Sequence, residues 1–253
     1  MIARACRAAL IIALAVTGAR AEPARGLITI TFDDASRSQH DLGLRLAKTY
    51  GLAGTLFVPT QLVTESLTPD GWTMTWDEVR DFQAAGWEIG AHGRTHVHMP
   101  GLDPSALADE IEGAAADILA QTGVAPVSFS SPFGDFTDAT LDRIMGVYQA
   151  HLSWKGHGGR NPRAALDPRL VGRLEVIESM SSAEVCGEMV ESARDGTWLV
   201  LLFHGITEGE PSDYEVSAAK AEAIFSCAAL LQAGGIIKVR TVRDALSEVG
   251  GTP

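Results

Sequence analysis

The sequence predicts a single-domain α/β fold built on a parallel sheet, either closed as a barrel or open and doubly wound. Short apolar segments alternate with helix-patterned ones along the whole chain, and their junctions carry cap and turn signals. No low-complexity linker divides the 253 residues, and 46% hydrophobic content suffices for one sizeable core. In order, strands are expected at Leu27–Phe32, Gly54–Val58, Trp87–Ala91, Val127–Ser130, His151–Trp154, Arg173–Ile177, Leu199–Phe203 and Ile236–Val239. Helices are expected between most of them, at Asp41–Tyr50, Thr75–Ala85, Pro104–Gln121, Asp138–Met145, Ser182–Arg194 and Ser217–Gln232. Thr75-Trp-Asp-Glu78 has the form of a capping box, and Asp103-Pro104 that of an N-cap with proline at the first helical position. Gly86, Gly123 and Gly234 stand just past helix ends. Strand–helix alternation of this kind implies right-handed crossovers between parallel strands.

Residues 1–21 read as a secretory signal peptide, with Arg4 and Arg7 ahead of an apolar run from Ala8 to Val16 and Ala19-Arg-Ala21 before the cut. That run is too short to span a membrane. Export to the periplasm or outside the cell follows, with residues 22–253 as the mature domain. Cleavage leaves 17 basic against 32 acidic residues, a net charge of −15. A chain this acidic is a poor partner for nucleic acid or anionic lipid. Cys186 and Cys227 remain after cleavage, an even number in an exported protein, compatible with either a disulfide or two free thiols.

Polar residues gather where strands end. The first strand closes in Asp33-Asp34, and because successive side chains alternate across a strand, the two do not easily aim at one ion. One carboxylate for a metal and one for a general base is the economical division. After the third expected strand comes His92-Gly-Arg-Thr-His96; on a helical turn the two imidazoles would lie about 40° apart on one face, with His98 off it. Two histidines and a carboxylate with open positions hold a catalytic divalent metal. The zinc-protease H-E-x-x-H pattern is absent, Gly93 standing where its glutamate would be. Ser130-Ser131-Pro132-Phe133-Gly134 follows the fourth strand, and the apolar run from Trp198 ends abruptly in His204-Gly205. Such residues at the carboxyl ends of several strands are the layout of an α/β active site.

At these residues the chain resembles the polysaccharide deacetylase family, the NodB-homology domain of carbohydrate esterase family 4, from Gly26 to Val249. The resemblance implies a distorted (β/α)7 barrel. It also implies Asp33 as general base, Asp34, His92 and His96 as metal ligands, and His204 as general acid. Pro132, Phe133 and Gly134 would line the acetyl-binding groove. Zinc is the default ion for such ligands, with cobalt, nickel or iron compatible. The chain departs from the family pattern at Ser130, where an arginine commonly stands, and has no Asp-Trp pair between Tyr148 and Leu174. Gly159-Arg-Asn-Pro through Arg173-Leu-Glu-Val resembles instead the branch containing the exopolysaccharide (poly-N-acetylglucosamine) deacetylases, which makes Arg173, then Arg160, the candidate to serve the base.

The reaction so implied is metal-dependent removal of N-acetyl groups from a polymeric amino sugar. Its rivals are O-deacetylation of acetylated xylan, hydrolysis of a cyclic imide or ureide, and noncatalytic carbohydrate binding. Trp76 and Trp87 read as core, leaving Trp72 as the carbohydrate-stacking candidate. His40, His98, His151 and His157 read as surface or hydrogen-bonded residues. The polar loop Gly205–Val216 is equally a groove rim or an ordinary exposed loop.

Overall fold

The structure, a computed structural model, describes residues 26–65, 71–153 and 157–250. The expected signal peptide and Trp154 lie outside them. The strands are β1 Gly26–Phe32, β2 Thr55–Val58, β3 Glu88–Ala91, β4 Ser128–Ser130, β5 Ala150–Ser153, β6 Arg160–Asn161, β7 Val171–Gly172, β8 Leu174–Glu175, β9 Trp198–Phe203, β10 Gly205–Thr207, β11 Glu215–Ser217 and β12 Ile237–Val239. The α-helices are α1 Arg45–Tyr50, α2 Trp76–Ala84, α3 Pro104–Ala108, α4 Ala114–Thr122, α5 Asp138–Met145, α6 Ser182–Asp195, α7 Ala218–Ala233 and α8 Val242–Gly250. Wide π-type turns at Gln39–Leu44 and Asp109–Gly113 lead into α1 and join α3 to α4. The local signals act where expected: Thr75 and Glu78 form a reciprocal capping box on α2, Asp103 caps α3, and Gly123 ends α4 in a left-handed turn.

The sheet runs β9-β1-β2-β3-β4-β5-β7 in parallel, and β8 returns to pair in parallel with β9. Since only Arg173 separates β7 from β8, one broken strand joins β5 at its start and β9 at its end. The sheet thereby closes as a distorted seven-stranded (β/α) barrel. The single strand expected at Arg173–Ile177 is in fact two short ones flanking Arg173. Where the break opens the ladder, the buried Asn161 amide fills it, donating to the carbonyls of Gly172 (2.9 Å) and Trp198 (3.1 Å) while Gly172 N donates back to Oδ1 (2.8 Å). β6, antiparallel to β9, carries this residue and has no length or pattern visible in sequence.

Alternation within the strands sorts the core into two layers. Ile28, Ile30, Phe32, Leu199, Leu201 and Phe203 face outward and pack beneath the helices. Leu27, Phe57, Leu152, Val171, Trp198 and Val200 fill the barrel, with Val242 and Ala245 of α8 closing its floor. Thr29 lies in this inner column and accepts from Trp198 Nε1 (2.9 Å). Gly90 is obligatory there, because a Cβ would lie 2.6 Å from the Phe57 ring. Outside the barrel a disulfide, Cys186–Cys227, ties α6 to α7 across a Cα separation of 6.1 Å, resolving the alternatives left by the sequence. No helix among the described residues is long and apolar enough to cross a membrane.

Candidate active site

The same alternation that fills the barrel aims the polar residues. Asp33 continues the inward series Leu27, Thr29, Thr31; His92 follows Gly90, Arg173 and Glu175 follow Val171, and His204 follows Trp198, Val200 and Leu202. Each falls at or just beyond the carboxyl end of its strand, so the side chains converge on one mouth. They line a cavity of about 560 Å³ together with Asp34, His96 and Ser131.

Asp34 reaches this mouth by a different route. Its backbone (φ 75°) and that of Ala35 (φ 50°) are left-handed, which turns the chain back over the barrel. Both aspartates therefore face the cavity despite adjacency. Asp34 Oδ1 stands 3.3 Å from His92 Nε2 and 3.1 Å from His96 Nε2. This oxygen is buried yet accepts no hydrogen bond. Three donor atoms converging on one point, with an orphaned carboxylate oxygen among them, fit a divalent metal. His92 Nδ1 lies 2.7 Å from the carbonyl of Ser130, which can only accept, so Nδ1 carries the hydrogen and Nε2 presents its lone pair.

The helical turn expected for His92–His96 is not formed. Gly93 (φ 72°) and His96 (φ 56°) are left-handed within an irregular loop, and it is the bend, not helical periodicity, that brings the imidazoles to a centroid distance of 4.9 Å. Glu110 holds the bend from below: its buried carboxylate accepts from Arg94 N (2.7 Å), Thr95 N (3.1 Å) and the Thr95 hydroxyl. No local pattern in the sequence marks Glu110 for this role.

Asp33 is held ionised. Arg173 Nη1 donates to Oδ1 (2.8 Å), the Ser130 hydroxyl donates to Oδ2 (3.0 Å), and Arg173 Nη2 donates to the same hydroxyl (2.8 Å). Burial pushes its pKa up, but the Arg173 guanidinium, together with His92 and His204, makes the net direction downward. Arg160, the other candidate, instead pairs with Glu188 (3.3 Å) and Asp195 (3.4 Å). Across the cavity His204 Nδ1 lies 3.3 Å from Glu175, a residue the sequence reading did not single out. Burial lowers the His204 pKa; the carboxylates of Glu175, Asp33 and Asp34 raise it further, so it lies above the ordinary histidine value. Gln39 Nε2 donates to the carbonyls of both Asp33 and His204, tying the two strand ends together.

The Ser131–Gly134 segment forms one wall. Phe133, left-handed at φ 58°, sets its ring edge-on to His96 at 4.6 Å and stacked on His98 at 4.0 Å, while Pro132 is buried beneath. Tyr214, in the turn between β10 and β11, approaches His204 at 5.8 Å, so part of the Gly205–Val216 loop does rim the cavity. Trp72 is 57% exposed and does not line the cavity, whereas Trp76 and Trp87 are core.

The family model described as polysaccharide deacetylase matches residues 20–147. The chain belongs to that family. Among solved structures of similar fold is a family 4 acetyl xylan esterase from Clostridium thermocellum in complex with a cobalt ion (19% identity, TM-score 0.59, 90% of this chain and 93% of that one). A family 4 carbohydrate esterase from Streptomyces lividans in complex with acetate is also similar (21%, 0.56, 85% and 91%). IcaB from Ammonifex degensii matches over 58% of this chain and 66% of its own (22%, 0.50). No curated protein matches. At such identities the neighbours speak for the deacetylase fold, and roles within the cavity are argued from its own geometry.

Proposed function

We propose that this polysaccharide deacetylase removes N-acetyl groups from a polymer containing N-acetylglucosamine, using a divalent metal held by Asp34, His92 and His96. When bound, such an ion supplies Lewis acidity toward the acetyl carbonyl and lowers the pKa of water. Zinc is the default for one carboxylate and two imidazoles, with cobalt, nickel or iron compatible. Asp33, ionised by Arg173 and Ser130, takes the proton of the attacking water. The backbone N–H of Phe133 donates to the oxyanion, and the left-handed turn at that residue orients it. His204, its Nδ1 engaged by Glu175, delivers a proton from Nε2 to the departing nitrogen, which leaves poorly unless protonated.

The observation that carries this reading is the pairing of two differently treated carboxylates: Asp34 left without a hydrogen bond between two imidazoles, and Asp33 clamped by a buried arginine. That the cation beside Asp33 comes from Arg173, with residue 130 supplying only a hydroxyl, also supports kinship with the poly-N-acetylglucosamine branch. Residues 1–21 direct export to the periplasm or beyond.

Acetate release from poly-N-acetylglucosamine, chitin oligomers, peptidoglycan and acetylxylan, with and without chelator, tests the proposal. Asp34→Ala is expected to lose metal and activity together, and Asp33→Asn to keep metal while losing activity by several orders of magnitude. Chelator-insensitive turnover, or release from acetylxylan alone, defeats it.

A further inference from the structure

Trp72 stands outside the catalytic cavity, yet the chain that leaves Asp34 leads directly to it. Arg37 N donates to the Trp72 carbonyl (2.8 Å) and Met74 N to the Ala35 carbonyl (2.8 Å), with Ser36 and Thr73 bridged in antiparallel fashion between them. Residues opposite one another in an antiparallel pair project to the same face, and successive residues to opposite faces. Ser36 and Thr73 turn inward: the Ser36 hydroxyl donates to the His204 carbonyl (3.5 Å) and the Thr73 hydroxyl to the Leu62 carbonyl (2.7 Å). Arg37 and Trp72 therefore stand side by side on the outer face, and Trp72 is 57% exposed. Three residues separate Arg37 from Asp34, a reach of at most about 11 Å, so the pair sits on the rim of the barrel mouth.

A second, shallower cavity of about 510 Å³ opens here, lined by Arg37, Ser38, Asp41, Gly71, Thr207 and Glu208. Both of its carboxylates already have cationic or donor partners: Asp41 Oδ1 lies 3.0 Å from His40 Nδ1, and Glu208 Oε1 3.7 Å from the Arg45 guanidinium. Arg37 has none. Its Nε is buried without a hydrogen-bond partner, and its guanidinium forms no ion pair among the described residues. The unmatched groups on this rim are thus a planar donor array and an open indole face. A pyranose ring carrying an acetamido group answers both, with C–H bonds for the indole and a carbonyl oxygen for the guanidinium. A deacetylated sugar presents an ammonium in place of that carbonyl, and the guanidinium repels it.

Building on the N-acetyl reading, we propose that Arg37 and Trp72 form a second sugar subsite, which binds another N-acetylated unit of the polymer whose reacting unit occupies the catalytic cavity. Trp72 stacks on the ring and Arg37 donates to the acetamido carbonyl. The subsite makes the enzyme favour units flanked by acetylated ones, so deacetylation scatters along the polymer and does not spread as a block.

The test uses the full metal-loaded protein and three N-acetylglucosamine substrates: a disaccharide, a fully acetylated hexasaccharide, and a hexasaccharide with one acetylated unit among free amines. Wild-type kcat/KM for acetate release is expected to be highest on the fully acetylated hexasaccharide. Trp72→Ala is expected to lower the hexasaccharide-to-disaccharide ratio by roughly three- to tenfold, and Trp72→Phe, which keeps a ring, to restore most of it. Arg37→Met is expected to cost roughly tenfold on the fully acetylated hexasaccharide and to erase the preference for acetylated neighbours. Melting temperature and metal content identify a variant that merely fails to fold, in which case the other residue decides. A wild type indifferent to length or favouring free-amine neighbours overturns the subsite, as do variants that keep the wild-type ratios; the deacetylase reading then stands. Wild-type protein that releases no acetate from any of the three overturns the N-acetyl reading itself.

Discussion

Arg173→Met removes one member of an ion pair whose side chains are both 2% exposed and whose atoms meet at 2.8 Å. Asp33 is then left in the barrel mouth with the Ser130 hydroxyl alone, and stranding a buried charge in this way costs about 3–5 kcal/mol. The carboxylate can limit the damage by taking a proton. From an ordinary pKa of 3.8, protonation at pH 7 costs about 4 kcal/mol, which caps the loss at that pH. At roughly 2–4 °C per kcal/mol, the melting point should fall by roughly 8–16 °C. In the variant the folded-state pKa of Asp33 is raised, so its stability is lost as pH rises; the deficit should shrink from pH 7 to pH 5, by at most about 1.4 kcal/mol per unit. Urea unfolding of chelated protein at both values measures this. Asp33→Asn combined with Arg173→Met should recover most of the stability and none of the activity. In turnover, the acidic limb of the pH–rate profile should move up by about one to three units, since Asp33 in the proposed role of base works only when ionised. A pH-independent deficit, or a double variant no more stable than Arg173→Met, would falsify the clamp.

His204→Ala should slow an N-acetyl substrate far more than an activated aryl acetate, whose leaving group departs without a proton; equal losses would mean that His204 only shapes the site. Glu175→Gln removes a carboxylate that raises the His204 pKa, so the basic limb of the profile should shift to lower pH. Superimposable profiles would rule that link out. Replacing Cys186 and Cys227 by alanine opens a loop with 41 residues of separation, for which chain entropy predicts a loss of about 4 kcal/mol. Unfolding midpoints that match the wild type with and without reductant would show that packing of α6 on α7 suffices.

Much of this protein is written in local pattern. Alternation of strand and helix, with caps at Thr75 and Asp103, states the α/β class because these signals depend only on near neighbours. The same period of two points Asp33, His92 and His204 inward from apolar strands, and it would have revealed Glu175 once Arg173 was suspected, as the two share a strand face. What sequence alone left open depends on contacts between distant segments. Whether the sheet closes is decided by a strand broken at Arg173 and sealed by the Asn161 amide, each too short to leave a periodic trace. Asp34 and His96 gain their aim from left-handed turns that depart from strand or helix periodicity, held by partners such as Glu110 far along the chain. Local rules name the groups proposed to do chemistry, and tertiary packing alone sets their angles, charges and separations.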